Sequence, residues 1–158
     1  MNNFNTADLC DEHNLLIAKP IFQTYGANTH CSGKIKTVEA VEDNSYVKKL
    51  LQTEGSGCVM VIDGKASDKC ALVGDNLAAL AVRNNWSGII VNGCIRDSLE
   101  INNIPISIKA LHLVPNKSEK KDVGKYGLDL HFAGITFKEN EYIYSDPDGI
   151  VISKVKLK

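Results

Sequence analysis

Residues 74–100 set the fold, and their sequence is GDNLAALAVRNNWSGIIVNGCIRDSLE. Asn76 to Asn84 has apolar residues at helical spacing, with Leu77, Leu80 and Ala81 on one stripe. Gly88 to Asn92 is a continuous apolar run, and so is the earlier stretch from Cys58 to Gly64 (CVMVIDG). Such runs are typical of strands that are buried on both faces. Strand, helix and strand in this order predict a βαβ unit with neighbouring parallel strands.

The flanking sequence supplies further short elements. A helix is predicted from Thr6, the expected N-cap, to about Asn14, and a strand from Lys34 (KIKTVEAVE). Another helix is predicted in SYVKKLLQTEG, with Ser45 as its cap and Gly55 as its stop. Four short strands follow later, in ISIKALHLVP, HFAGITF, EYIYSD and GIVISK. We therefore predict one domain over residues 1–158, an α/β sandwich with a mixed sheet around a central βαβ unit.

Composition narrows the function classes. The chain is 44% hydrophobic and 23% charged, with a formal net charge of -1, which favours a globular protein and gives no reason to expect nucleic acid as a partner. No apolar stretch is long enough to span a bilayer and no signal peptide is visible, so we expect a cytoplasmic protein without membrane contact. The five cysteines form no CxxC pair. The lysines at 120, 121, 154, 156 and 158 are expected on solvated faces.

Two aspartates are expected to meet at one edge of the sheet. Asp75 begins the helix that follows the first strand of the βαβ unit, and Arg96–Asp97 follows the second strand within four residues of Gly93. The carboxyl ends of parallel strands share an edge, and open α/β sheets bind ligands there. Taken singly, an aspartate before a helix is commonly an N-cap, and an Arg–Asp pair after a strand is commonly a surface ion pair or turn.

The residue types at this edge suit a small 2-oxo acid and a metal ion. Backbone N–H groups after Gly74 can hold a carboxylate at the start of the helix, and the guanidinium of Arg96 offers a planar fork for the same purpose. Asp97 is a hard oxygen ligand for a divalent cation, and Asp75 can hold waters in the shell of that cation. Polarising the ketone of the acid stabilises an enolate, which is the demanding step in breaking the adjacent C–C bond.

The same residues carry a family pattern. Asp75 is followed by twenty residues, then Arg96 and Asp97, then two residues and Glu100. This spacing resembles the signature of the family that unites class II 4-hydroxy-4-methyl-2-oxoglutarate aldolases with the regulator of ribonuclease E activity A (RraA). Similarity also appears in TADLCDEH, VIDG, the W-x-G-x-x-V-N-G pattern at 86–93 and YSDPDGIVIS.

The resemblance implies roles for these residues. Gly74, Asp75, Asn76 and Leu77 would form the substrate-binding loop, and Arg96 would bind the pyruvyl carboxylate. Asp97 would be the direct protein ligand of Mg²⁺ or Mn²⁺. Asp75 would orient metal-bound water that relays a proton to the pyruvate enolate. Family members cleave 4-hydroxy-4-methyl-2-oxoglutarate to pyruvate by a retro-aldol reaction, also decarboxylate oxaloacetate, and assemble as trimers or pairs of trimers.

The resemblance leaves one alternative and one departure. The alternative is a non-catalytic regulator that binds and inhibits ribonuclease E; regulator members can lack the aspartate after the arginine, so Asp97 favours catalysis. Longer aldolases have a C-terminal extension that supplies an acidic residue to the neighbouring site, and we expect this chain to lack it. Four carboxylates are candidates to compensate, although a helix cap and a turn explain them more simply: Asp8, Asp11, Asp146 and Asp148.

The remaining candidate residues favour structural roles. His112 and His131 fall in strand patterns, where packing or a hydrogen bond is the common explanation, and Trp86 is expected to anchor a helix–strand turn. Lys109 interrupts an apolar run; a pocket cation is one interpretation, and an outward-facing strand lysine is the favoured one. The sequence shows no glycine-rich loop after an early strand, so methyl transfer from a nucleoside-type donor is not predicted.

Overall fold

The computed structural model describes residues 3–158 as one large mixed sheet with four helices and a small hairpin. The helices are α1 Thr6–Glu12, α2 Ser45–Leu51, α3 Asp75–Arg83 and α4 Ser98–Ile101. The strands are β1 Leu16–Ile17, β2 Gln23–Tyr25, β3 Cys31–Glu39, β4 Cys58–Asp63, β5 Ala71–Val73, β6 Gly88–Ile95, β7 Ser107–Leu113, β8 Lys125–Tyr126, β9 Leu130–Phe132, β10 Ile135–Phe137, β11 Tyr142–Asp146 and β12 Gly149–Ser153.

The predicted βαβ unit forms the centre of the sheet. The strand order is β1-β12-β11-β3-β4-β6-β7-β2, and the four central strands β3, β4, β6 and β7 run parallel to one another. The outer strands pair antiparallel. Two strands lie off this path: β5 pairs parallel with β6, and β8 pairs antiparallel with β3. The α/β class with a mixed sheet is therefore confirmed.

Each face of the sheet buries its own apolar core. On one face α2, α3 and α4 cover the central strands, and Trp86 is 5% exposed in this core, as expected for an anchor of the helix–strand turn. On the other face the β9–β10 hairpin packs on the sheet through Leu130 and Phe137. The helix α1 covers β11 and β12 separately. None of the helices within residues 3–158 combines the length and apolarity that crossing a membrane requires.

The structure corrects the predicted ends of several elements. The side chain of Asn5, not Thr6, caps α1, because its oxygen accepts hydrogen bonds from the amides of Ala7 and Asp8. The strand expected from Lys34 begins earlier, at Cys31, and ends at Glu39. The short strands β1, β2, β5 and β8 were not predicted, because two or three residues are too few to show a periodic pattern.

The side chain of Lys109 lies inside the protein, so the favoured prediction of an outward lysine is wrong. The residue is 3% exposed, and its ammonium donates to Thr24 Oγ1 at 2.8 Å and to the Asp146 carbonyl oxygen at 2.7 Å. Burial lowers the pKa of Lys109, although the nearby Asp146 carboxylate acts in the opposite direction. Three other strands, β3, β4 and β6, lie between β7 and β11 in the sheet. A contact between these two strands therefore shows that the sheet is strongly curled.

The carboxylate of Asp146 anchors the N-terminal helix to the β11–β12 turn. It accepts hydrogen bonds from the Thr6 amide (2.7 Å) and hydroxyl (2.6 Å), and from the amides of Asp148 (3.0 Å) and Gly149 (3.3 Å). Burial raises the pKa of Asp146, but these hydrogen bonds outweigh it and the pKa is lowered. The turn explanation for Asp146 therefore fits the structure.

Replacing this carboxylate should weaken the fold in a pH-dependent way. A carboxylate whose pKa is lowered by folding stabilises the protein above its unfolded-state pKa of about 3.9, and this stabilisation is lost as pH falls through the folded-state value. We expect Asp146→Asn to lower the free energy of unfolding by about 1–3 kcal/mol at pH 7. Urea unfolding at pH 7 and at pH 3 checks this, and an equal loss at both pH values would contradict it.

Candidate functional site

The pairing of β5 with β6 brings the predicted site residues together. Val73 lies opposite Ile95, and the amide of Arg96 donates to the Val73 carbonyl oxygen at 3.0 Å. The chain leaves β5 at Gly74 and enters α3, while it leaves β6 at Arg96–Asp97 and enters α4. No element was predicted between Gly64 and Gly74. In the structure, its strand β5 places the two exits side by side.

Asp97 is held close to the start of α3. Its Oδ2 accepts a hydrogen bond from the Asp75 amide at 3.1 Å, and its backbone is left-handed, with φ 63° and ψ 42°. Aspartate is one of the few residue types other than glycine that adopt this conformation readily. A Cβ atom on Gly74 would lie 2.6 Å from Asp97 Oδ2. Glycine at position 74 therefore leaves the space that the carboxylate occupies.

Carboxylates of the protein itself, one of them from outside α3, accept hydrogen bonds from the first backbone amides of this helix. The Asp75 amide binds Asp97, and the Asn76 amide donates to Asp75 Oδ1 at 2.8 Å. The Leu77 amide has no acceptor within residues 3–158. The expected anion-binding capacity of this helix end is therefore reduced to one backbone donor. Leu77 and Leu80 are half-buried beside the site, while Ala78 and Ala81 form the buried stripe of the helix.

The guanidinium of Arg96 remains available for an anion. Its Nε lies 3.9 Å from Asp97 Oδ2, and its Nη1 donates to the Pro115 carbonyl oxygen at a long 3.4 Å. The side chain is 39% exposed. An ion pair of this length at the surface contributes little. Most of the donor capacity of Arg96 therefore faces the solvent in front of Asp97.

A cleft of about 430 Å³ opens in front of these residues. Its lining includes all six residues predicted for the site: Gly74, Asp75, Asn76, Leu77, Arg96 and Asp97. Five cations line the cleft against two carboxylates, although acidic residues outnumber basic ones in the whole chain. The cations are Lys48, Arg83, Arg96, Lys117 and Lys120. The cleft therefore has the electrostatic character of an anion-binding site.

The donor set fits a hard divalent cation with one protein ligand. Within residues 3–158 no donor binds Asp97 Oδ1, whereas Oδ2 is fixed by the Asp75 amide, and Asp97 lines the cleft. No group of three or more His, Cys, Asp or Glu side chains in that part of the chain could hold a metal. Magnesium is commonly bound through one or two carboxylates and completed by water and substrate oxygens. Asp97 satisfies this requirement.

The wall of the cleft that follows β7 was missed by sequence reasoning. Lys117, Ser118 and Lys120 line the cleft there, and Lys120 is exposed, as expected for a lysine on a solvated face. These residues follow β7, the next parallel strand after β6, so its carboxyl end also lies at the site edge. The predicted strand ISIKALHLVP could have indicated these cleft residues, because the carboxyl ends of neighbouring parallel strands lie at one edge of the sheet. Glu100 is exposed on α4, and the four carboxylates considered as replacements for a C-terminal extension do not line the cleft.

Comparison with known proteins identifies the family. A sequence model of the RraA-like family, described as Aldolase/RraA, matches residues 6–152. A protein of Dechloromonas aromatica, provisionally named a 4-hydroxy-4-methyl-2-oxoglutarate aldolase, is 47% identical over 156 residues, covering 95% of this chain and 96% of its own. A Bacillus cereus protein with the same provisional name is also 47% identical, with 98% of each chain covered.

Two solved structures share the fold over nearly their whole length. One is a Geobacillus kaustophilus protein described as an S-adenosylmethionine:2-dimethylmenaquinone methyltransferase, with a TM-score of 0.95 and 41% identity over 98% of this chain and 97% of that chain. The other is the RNA-processing inhibitor RraA from Thermus thermophilis, with a TM-score of 0.93 and 31% identity over 99% and 96%.

A side chain at position 74 should disturb the site locally. We expect Gly74→Ala to lower the free energy of unfolding by about 1–3 kcal/mol, because its Cβ would displace the Asp97 carboxylate and the α3 start. Gly149→Ala is the matched control, because a Cβ there meets no atom within 4 Å. Urea unfolding compares the two variants, and equal stability would contradict the crowding at position 74.

Proposed function

Because this chain belongs to the RraA-like family, we propose that it is a divalent-metal-dependent lyase that cleaves 4-hydroxy-4-methyl-2-oxoglutarate to pyruvate. The observation that carries the proposal is the convergence of Asp75, Arg96 and Asp97 at one cationic cleft, with Asp97 Oδ1 open. The names of the relatives support the aldolase reaction. The metal, the retro-aldol chemistry and the substrate are our proposal for this chain.

Arg96 binds the carboxylate of the 2-oxo acid. Its guanidinium can donate two parallel hydrogen bonds to one carboxylate, which fixes both the position and the plane of the substrate. The free Leu77 amide at the start of α3 adds a backbone donor on the same side of the cleft. In this proposal, an acid whose carboxylate is bound by Arg96 and the Leu77 amide has its 2-oxo group directed towards Asp97.

Asp97 would hold the metal ion. When bound there, Mg²⁺ or Mn²⁺ supplies positive charge that stabilises the negative charge developing on the 2-oxo oxygen as the C–C bond breaks. The hydrogen bond from the Asp75 amide keeps Asp97 Oδ2 in place and so directs Oδ1 into the cleft. Fixing a ligand by a hydrogen bond from its surroundings is a general way in which proteins orient metal ligands.

Asp75 moves the proton. A retro-aldol cleavage requires removal of the proton from the 4-hydroxyl group and addition of a proton to C3 of the resulting enolate. Asp75 Oδ1 accepts the Asn76 amide, while Oδ2 is not hydrogen-bonded within residues 3–158 and the side chain borders the cleft. Oδ2 therefore accepts the hydroxyl proton, directly or through one water, and returns a proton to C3.

Oxaloacetate is a second substrate of the same site. Loss of its C4 carboxylate as carbon dioxide leaves the enolate of pyruvate, so Arg96 and Asp75 perform the same tasks of binding and protonation. The methyltransferase name of the Geobacillus protein is not part of this proposal. The connections after β3 (AVEDN) and β4 (GKASDKC) contain a single glycine between them, whereas a nucleotide-type donor loop needs several.

The lyase proposal is tested with oxaloacetate and 4-hydroxy-4-methyl-2-oxoglutarate in the presence of Mg²⁺. We expect pyruvate release that stops on addition of EDTA and returns with excess Mg²⁺. Asp97→Ala should lower kcat/KM by at least about a thousandfold, because the site loses its direct metal ligand. Asp129→Ala, an exposed aspartate outside the cleft, is the control. Pyruvate release that is insensitive to EDTA would refute the mechanism.

Regulation of RNA processing is the second candidate function. The 0.93 TM-score and near-complete coverage of the Thermus RNA-processing inhibitor favour it. In this alternative the chain, as a homotrimer or hexamer, binds and inhibits ribonuclease E without chemistry at the cleft. The two candidate functions are not mutually exclusive.

The regulator alternative predicts binding that is independent of Asp97. Purified protein is passed over immobilised C-terminal region of ribonuclease E, with the Asp97→Ala variant alongside. Equal binding of both proteins, together with slower RNA cleavage by the ribonuclease, would support regulation. If neither protein binds, this candidate function is excluded.

A further inference from the structure

The segment 116–123, here called the strap, forms one wall of the cleft. It follows β7 and the Val114–Pro115 link, and its Lys117, Ser118 and Lys120 line the cleft. The same three residues line a second hollow of about 860 Å³ behind them. The strap is therefore a narrow wall between two open spaces. It starts beside Arg96, whose Nη1 contacts the Pro115 carbonyl oxygen.

The charges on the cleft side of the strap are not neutralised. Within residues 3–158, neither Lys117 nor Lys120 has a carboxylate within 4.0 Å, whereas their neighbour Lys121 lies 3.1 Å from Glu119. Lys48 of α2 faces the same space and is also without such a partner in that part of the chain. One carboxylate bound by Arg96 would leave most of this positive charge uncompensated. A substrate with a second carboxylate would compensate it.

Asp43 fixes the far half of the strap. It is 3% exposed, and its Oδ2 accepts hydrogen bonds from the amides of Lys121 (2.7 Å) and Val123 (3.1 Å). Its Oδ1 accepts from the amide (2.8 Å) and hydroxyl (2.5 Å) of Ser45 at the start of α2. Burial raises the pKa of Asp43, but these hydrogen bonds outweigh it and lower the pKa, so the side chain is ionised at neutral pH.

The near half of the strap is tied to β5, which leads into the site. The Ala71 amide donates to the Asn116 carbonyl oxygen at 2.8 Å, and the Asn116 side chain donates to the Lys69 carbonyl oxygen at 3.1 Å. Ser118 is buried, and its hydroxyl accepts the Asn44 amide at 3.3 Å. An otherwise irregular and exposed segment is therefore held at both ends and in the middle, which is the condition for placing lysines reproducibly at a ligand.

We propose that the strap is the specificity element of the cleft: Lys117 and Lys120 bind a second carboxylate of the substrate, and Asp43 is the residue that positions the half of the strap that carries Lys120. This inference rests on the proposed function and extends it, because it selects 2-oxo acids whose second carboxylate is attached to C4, whereas the C4 carboxylate of oxaloacetate is the group that leaves. Arg96 holds the carboxylate next to the 2-oxo group, and the strap holds the other one. In a retro-aldol cleavage the second carboxylate is not lost but stays on the departing product. Binding of this carboxylate by Lys117 and Lys120 therefore does not oppose the reaction.

The experiment compares two ligands that the enzyme binds but does not cleave. 2-Oxoglutarate has the second carboxylate, and 2-oxopentanoate has the same chain length without it. Calorimetry with Mg²⁺-loaded protein should show tighter binding of 2-oxoglutarate. Lys117→Met and Lys120→Met should each reduce this preference about fivefold and leave 2-oxopentanoate binding unchanged, because each removes one charge-assisted contact at a partly exposed site. Lys121→Met is the matched control, since it changes the same charge on the same strap outside the cleft.

Asp43→Asn tests the positioning role. The amide keeps one acceptor oxygen but turns an NH₂ group towards backbone donors, so the strap should loosen. We expect the preference for 2-oxoglutarate to fall, 2-oxopentanoate binding to remain, and the amides of Lys121 and Val123 to exchange faster with deuterium. Equal losses of binding affinity for both ligands would show a merely structural role for Asp43 and overturn the positioning claim. Lys117 and Lys120 are exposed, so their variants test the carboxylate contact independently of Asp43.

Two other outcomes would overturn the proposal. One is equal binding of 2-oxoglutarate and 2-oxopentanoate by the unmodified protein. The other is inorganic phosphate binding that needs Lys117 and Lys120 but does not compete with 2-oxoglutarate, which would show a separate anion site. Absence of cleavage with a preserved 2-oxoglutarate preference would instead refute the lyase proposal and leave the strap's role in place.

Discussion

The site depends on one close approach between two chain segments. Strand β5 pairs with the end of β6, and Gly74 then passes so near to Asp97 that a Cβ would overlap its carboxylate. The resulting hydrogen bond from the Asp75 amide to Asp97 Oδ2 fixes one oxygen and leaves the other free. Everything proposed for the cleft follows from this contact. It brings together Asp75 for proton transfer, the guanidinium of Arg96 for carboxylate binding, and Asp97 as the proposed metal ligand.

Buried and half-buried carboxylates have different tasks in this protein. Asp43 and Asp146 are each 3% exposed and accept four hydrogen bonds, which keeps them ionised and makes them anchors for segments without regular structure. Asp75 and Asp97 are half-buried and each accepts only one hydrogen bond from the described residues. A carboxylate with all its lone pairs engaged holds structure, whereas one with a free oxygen can bind a metal or a proton.

The cleft combines these carboxylates with an excess of cations. Lysines reach it from α2 and from the strap, and arginines from α3 and from the end of β6, so four parts of the chain contribute positive charge to one small volume. Such a surplus attracts polyanionic ligands and raises their local concentration.

The sequence by itself determined the α/β class, the central βαβ unit and the six residues that line one end of the cleft. Strong apolar runs such as Cys58–Asp63 and Gly88–Ile95 carry this information locally, because burial on both faces leaves no polar alternation. Only the tertiary structure showed the three-residue strand β5, the inward Lys109 and the strap held by Asp43. These features arise from contacts between residues 22 to 80 positions apart, and such contacts leave no periodic pattern in the chain.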